Sequence, residues 1–169
     1  MQHLVPPQNF SPVEPELYRA GEPTGINLPF LKGLRLKTVL WLGVEDPRDT
    51  FLNWLDDNDI DMENLGLLDD GNPWDDLTPQ TINAALEIIL DSSKYPLLVC
   101  CPMGRHRTGT VVGCLRKLQQ WSFASLIDEY QRSAGPKGER VSVELTIESY
   151  HPEVVIPANP PEWFKQRLP

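Results

Sequence analysis

Leu97-Leu98-Val99-Cys100-Cys101-Pro102-Met103-Gly104-Arg105-His106-Arg107-Thr108-Gly109-Thr110-Val111-Val112 runs from an unbroken apolar segment, through a short turn, into an amphipathic helical pattern. That order of strand, turn and helix suits a thiolate-based phosphate site. Backbone N–H groups of a tight loop and of a helix N-terminus converge on one point and attract an anion there. Cys101 stands at that point, so the same field favours its thiolate. Arg107, six positions on, offers a planar fork to two oxygens of a phosphoryl group.

Outward from this stretch, strands alternate with helices. Lys37–Leu42 is a continuous apolar, β-rich run of the kind found in a buried central strand. Leu17–Ala20 has strand character and stops at Gly21, Tyr95–Cys100 feeds the cysteine turn, and Ile60–Leu68 holds another strand of poor alternation. Helices are expected over Asn27–Lys32 with Asn27 as cap, from about Pro47 to Asp57, and after Thr78, where Ile82, Ala85, Leu86 and Ile89 share a face. Further helices are expected over Thr108–Trp121, from Ser122 to about Ser133, and from Glu139 to Tyr150. Prolines make residues 1–15 an extended arm and residues 151–169 an irregular strap. The pattern predicts one α/β domain over residues 1–169, with a central, mostly parallel sheet flanked by helices. Ligands of such sheets bind beyond the carboxyl ends of the strands, where Cys101 stands.

Composition narrows the function. The chain has 169 residues and a net charge of −9, which argues against general nucleic-acid binding. Between Cys101 and Arg140, however, seven Lys or Arg face three Asp or Glu, so an acidic body carries one basic patch. That distribution suits a small or local anionic ligand, although Arg116, Lys117 and Arg132 would equally serve to solvate helices. No apolar run reaches the length of a membrane span, and no basic-plus-apolar leader is present. Three clustered cysteines, an odd number, do not form a secreted disulfide framework, which points to a reducing, cytoplasmic setting.

The reaction that these residues suit is phosphoryl transfer to the Cys101 thiolate, then hydrolysis of the cysteinyl phosphate. The loop Pro102-Met103-Gly104-Arg105-His106, through the amides it carries, and the Arg107 fork would stabilise the equatorial oxygens. Thr108 could donate to the sulfur and improve it as a leaving group. The plain alternative for Cys101 is a structural buried thiol. A poor leaving oxygen needs a proton donor, and the acidic loop Asp69-Asp70-Gly71-Asn72-Pro73-Trp74-Asp75-Asp76 is the source, with Asp70 preferred and Asp69 next. Asp75 and Asp76 read better as partners of the following helix dipole. Cys100 is either an inward-packed strand residue or a redox neighbour of Cys101. His106 either bonds backbone or meets ligand oxygens. His3 and His151 have no companions at metal-ligand spacing, and no metal or cofactor is called for.

With those residues in hand, the chain resembles the plant-and-fungal atypical dual-specificity phosphatases, and within them the fungal oxidant-induced cell-cycle arrest branch. The likeness runs from about Val5 to Tyr150. It includes Leu17-Tyr18-Arg19-Ala20-Gly21-Glu22-Pro23, Phe30-Leu31, Leu36-Lys37-Thr38-Val39 and Asn72-Pro73-Trp74-Asp75. It continues through the cysteine loop, Gly113-Cys114-Leu115-Arg116-Lys117-Leu118 and Asp128-Glu129-Tyr130. The resemblance implies the cysteine-phosphatase fold, Cys101 as nucleophile and Arg107 as phosphate ligand. It implies substrates that are phosphotyrosine-type proteins or inositol pyrophosphates, with Arg105, His106, Lys137 and Arg140 meeting the polyanion. It also implies a hetero-oligomeric complex with related phosphatase-like proteins. Two positions depart from the family pattern. Cys100 replaces the usual histidine before the nucleophile, and Pro102 and Met103 stand where active relatives often carry polar and basic residues. A phosphate-binding pseudophosphatase is therefore the alternative function. A sulfur transferase fits Arg107-Thr108-Gly109 less well, and low-molecular-weight phosphatases carry their cysteine loop near the N-terminus.

Overall fold

Leu97–Cys101 (β5) is buried at every position, because a strand in mid-sheet presents apolar side chains to both faces. The computed structural model describes residues 3–68, 71–136 and 138–166. In it β5 is the centre of a five-stranded sheet with Ser11–Glu14 (β1), Leu17–Gly21 (β2), Thr38–Trp41 (β3) and Asp61–Asn64 (β4), in the order β1-β2-β5-β3-β4. All neighbours are parallel except β1, which runs antiparallel to β2.

The period of two along β5 sorts its side chains. Leu97, Val99 and Cys101 join a core roofed by helices Pro79–Ile89 (α3), His106–Leu118 (α4), Phe123–Ala134 (α5) and Val141–Ser149 (α6). Leu98 and Cys100 face the opposite core, closed by Leu28–Leu34 (α1) and Asp49–Asp57 (α2) through Leu31, Phe51 and Leu55. Thr78 caps α3 as expected, its hydroxyl accepting from Thr81 N–H, and Ile82, Ala85, Leu86 and Ile89 are buried together.

Three expectations are corrected. The arm over residues 1–15 ends in a strand: Pro12 lies within β1, which is tolerated because β1 is the sheet edge and carries a bulge between Pro12 and Glu14. Asn27 does not cap α1. A 3₁₀ turn, Gly25–Asn27, precedes the helix and puts Asn27 at φ −87°, ψ −17°, outside the extended geometry of a cap. Its amide serves the arm instead: the oxygen accepts from Thr24 N–H at 2.9 Å, while Nδ2 donates to the Val5 and Pro6 carbonyls at 3.1 Å each. Helix α4 starts two residues before Thr108 and stops before Trp121, where Gln120 turns to φ +63°. The strap contains the short helix Glu162–Lys165 (α7) and lies along α3. Val155 N–H donates to Glu87, and Phe164 is buried in the core.

Candidate active site

The turn between β5 and α4 is set by Gly104, whose φ of +68° lies in the left-handed region. A Cβ there would stand 2.4 Å from Gly21 N and 2.5 Å from the Ala20 carbonyl carbon, because the loop sits directly on the end of β2. Gly104→Ala should therefore destabilise the fold by ~1–3 kcal/mol of backbone strain and ~1–3 kcal/mol of overpacking, seen as an earlier urea midpoint. A midpoint equal to wild type would contradict this packing.

The loop's carbonyls are held from outside. Glu22 N–H donates to Pro102 O at 3.2 Å and Asn9 Nδ2 donates to Met103 O at 2.9 Å. In a trans peptide the following N–H points the opposite way, so outward carbonyls turn the amides of Met103 and Gly104 toward the loop centre. Cys101 stands at the base of that loop, 3% exposed, and Thr108 Oγ1 donates to its Sγ at 3.1 Å. This is the contact expected of a hydroxyl that stabilises a leaving thiolate.

Arg107, 8% exposed, is held by two main-chain carbonyls: Nη1 donates to Leu42 O at 3.1 Å and Nη2 to Asp75 O at 3.2 Å. One carbonyl follows β3 and the other lies in the acidic loop, so the guanidinium ties both walls to the cysteine turn. Arg140 stacks over the Trp74 ring at 5.2 Å, and its N–H donates to the Tyr130 hydroxyl at 3.0 Å. His106 Nδ1 lies 3.0 Å from the same hydroxyl. Burial first, then the Arg140 and Arg105 charges, hold its pKa below the ordinary 6.5, so the ring is neutral at pH 7. His106 thus bonds a side chain of α5, not backbone.

The structure brings Cys101, Pro102, Met103, Gly104, Arg105, His106, Arg107, Thr108 and Arg140 to one end of the sheet. Asp69, Asp70 and Lys137 lie outside the described residues. Asp75 and Asp76 do more than face a helix dipole. Asp75 supplies the Arg107 acceptor, and Asp76 Oδ1 accepts from Ser142 Oγ at 3.3 Å, latching the acidic loop to α6. Arg116 is a core bolt: 5% exposed, it bonds Glu14, Glu129 and the Val13 carbonyl and covers the Trp121 ring. Lys117 donates to the Ile147 carbonyl at 2.9 Å and to that of Glu148. Among the described residues the basic patch accordingly narrows to Arg105, Arg107 and Arg140 at the site.

Cys100 and Cys101 project to opposite faces, so they do not face each other as a dithiol pair. Burial, with Cys101 and Glu22, pushes the Cys100 thiol well above its ordinary value, and burial pushes Cys114 up to about 12. Both stay protonated. Among the described residues no His, Cys, Asp and Glu group could hold a metal ion, and no helix is long and apolar enough to cross a membrane. Asn9, the Leu42 and Asp75 carbonyls, Tyr130 and Arg19 are site residues that sequence reasoning missed. A polar residue inside the otherwise apolar β2 was the one available signal, at Arg19.

Comparison with known proteins agrees with this geometry. OCA1 of Yarrowia lipolytica, a curated tyrosine-phosphatase candidate, is 56% identical over 163 residues, which is 95% of this chain and 64% of that protein. DG1060 of Dictyostelium discoideum, a tyrosine-phosphatase candidate too, is 44% identical and matches 97% of this chain and 98% of its own length. The core catalytic domain of the PP-IP phosphatase SIW14 of Saccharomyces cerevisiae, solved with citrate, superposes with a TM-score of 0.81 at 39% identity, covering 88% of this chain and 89% of that one. The chain thus spans about two thirds of the Yarrowia relative. A family model described as the tyrosine phosphatase family matches residues 4–168. With a cysteine at the end of a central parallel strand, an arginine closing the loop and the family pattern across its length, this chain belongs to the tyrosine phosphatase family.

Proposed function

We propose that the chain is a cysteine-dependent phosphatase that transfers the phosphoryl group of a monoester or pyrophosphate to Cys101 and then to water. The observation that carries this reading is the hydroxyl of Thr108 on Cys101 Sγ beneath a loop closed by Arg107. In the first step the thiolate forms an S–P bond as the P–O bond to the leaving group breaks. Amides of the loop and the Arg107 fork hold the three equatorial oxygens. The leaving oxygen takes a proton from a carboxylic acid, the role proposed for Asp70. In the second step water forms the new P–O bond as the S–P bond breaks, and its proton passes to the carboxylate that the first step left, the role proposed for Asp70. The Thr108 donor stabilises the departing thiolate, and inorganic phosphate leaves.

An inositol pyrophosphate is the favoured substrate. Arg105 and Arg140 lie at the loop, Lys137 is proposed as a further substrate cation, and the SIW14 structure bears the name of a PP-IP phosphatase. A phosphotyrosine-type protein is the second substrate. Residues 1–169 are proposed to act as one domain in the cytoplasm, where free Cys100, Cys101 and Cys114 persist as thiols, and within a complex of related phosphatase-like proteins. Hydrolysis of an aryl phosphate and of an inositol pyrophosphate, with Cys101→Ser as control, tests the reading. Turnover of the pyrophosphate lost in the control supports it. Equal rates for wild type and control would overturn catalysis and leave a phosphate-binding pseudophosphatase.

A further inference from the structure

Arg19 is a charged residue in a place built for an apolar one. It lies on β2 opposite Val99 and two positions before Gly21, which pairs with Cys101, so its side chain shares the face of Val99 and Cys101. It is 2% exposed, beneath the start of α4. Gly109 lets the Tyr130 ring pack beside it: a Cβ there would stand 2.8 Å from that ring, while Arg19 Nη2, at 3.8 Å, would be in ordinary contact. Nη2 donates to the Gly104 carbonyl at 3.4 Å, and Nε has no partner among the described residues.

A buried guanidinium is costly unless a negative charge answers it. Among the described residues the carboxylate that acts on it, Glu129, already bonds Arg116, itself a further positive charge in the field of Arg19. Among the described residues, the other group in that field that can carry a negative charge is the sulfur of Cys101. Burial lowers the Arg19 pKa from its ordinary value, while Glu129 and Cys101 act the other way.

We propose that Arg19 is a positioning residue of the phosphate loop, which pins the Gly104 carbonyl from below and places a fixed positive charge behind the Cys101 sulfur. The peptide plane carries the first effect outward. With its carbonyl drawn down onto Arg19, away from the loop centre, the Gly104–Arg105 peptide turns the Arg105 N–H toward that centre, where a phosphoryl oxygen would sit. The charge carries the second, stabilising a thiolate at Cys101. The inference rests on Cys101 being the nucleophile of the proposed phosphatase.

Iodoacetamide alkylation of Cys101, read by mass spectrometry at pH 6 and pH 10, and vanadate affinity test both effects in the full chain. Arg19→Met should slow alkylation at pH 6 about tenfold, with little change at pH 10, and should weaken vanadate binding. Arg19→Lys should restore most of the pH 6 reactivity through its charge but not the vanadate affinity, because an ammonium lacks the fork that reaches Gly104. Wild-type rates at pH 6 together with wild-type vanadate affinity in Arg19→Met would overturn the inference alone. Should Arg19→Met fail to fold, unchanged vanadate affinity in Arg19→Lys would overturn it. A wild-type Cys101 that reacts at pH 6 no faster than glutathione would overturn both this inference and the phosphatase reading.

Discussion

Cys101→Ser is expected to lower kcat on an aryl phosphate by on the order of 10⁴-fold or more while phosphate or vanadate still binds. A serine hydroxyl in the same place has no accessible alkoxide at neutral pH, so the S–P bond has no counterpart. The anion site survives, because it is made of main-chain amides whose carbonyls are held by Glu22 N–H and Asn9, and of Arg107. The hydroxyl of Thr108 still finds an acceptor in Ser Oγ, so the thermal midpoint should stay near wild type. Steady-state kinetics and calorimetric titration with vanadate separate the two effects. Retained turnover would remove Cys101 from the chemistry, and loss of both turnover and binding would mean that the loop itself had collapsed.

Arg107→Lys carries the second largest effect, a fall in kcat/KM of on the order of 10²–10³-fold. Lysine keeps the charge but not the geometry. The guanidinium spans the Leu42 and Asp75 carbonyls with its two terminal nitrogens, which fixes the plane of the fork proposed to meet phosphoryl oxygens. An ammonium reaches one carbonyl at a time, so it loses both the bidentate presentation and the tie to the acidic loop. Amides of residues 71–76 should then exchange hydrogen faster than in wild type, a readout independent of activity. Activity within tenfold of wild type would contradict the role given to the fork.

What was legible in the sequence was local. The unbroken apolar run Leu97–Cys101 marks a strand buried on both faces, and the spacing from Cys101 to Arg107 and Thr108 marks a loop closing into a helix. Those two features give the parallel sheet, the site's position and most of its residues. The partners of Arg107 could not be read, because they are main-chain carbonyls 65 and 32 positions upstream, and any residue type supplies a carbonyl. Arg116 was misread for a related reason. A count of charge shows no burial, and only the fold brings Glu14 and Glu129 from two other elements onto it. Asn27 misled because an amide that looks like a cap has donors as well as an acceptor, and here the donors hold the arm. Arg19 was quoted as part of a motif, yet its meaning depends on the register that sets β2 against β5.

The central claim is that catalysis passes through a phosphorylated Cys101, and trapping that species tests it most directly. Thr108→Val removes the donor on the sulfur, which should slow the second step more than the first and let the intermediate accumulate. Rapid quench of this variant turning over an aryl phosphate, followed by peptide mass spectrometry, should find one phosphoryl group on Cys101, with a burst of product matching the enzyme concentration. A variant that turns over with no phosphoryl group on Cys101, or with one on another residue, would contradict the mechanism.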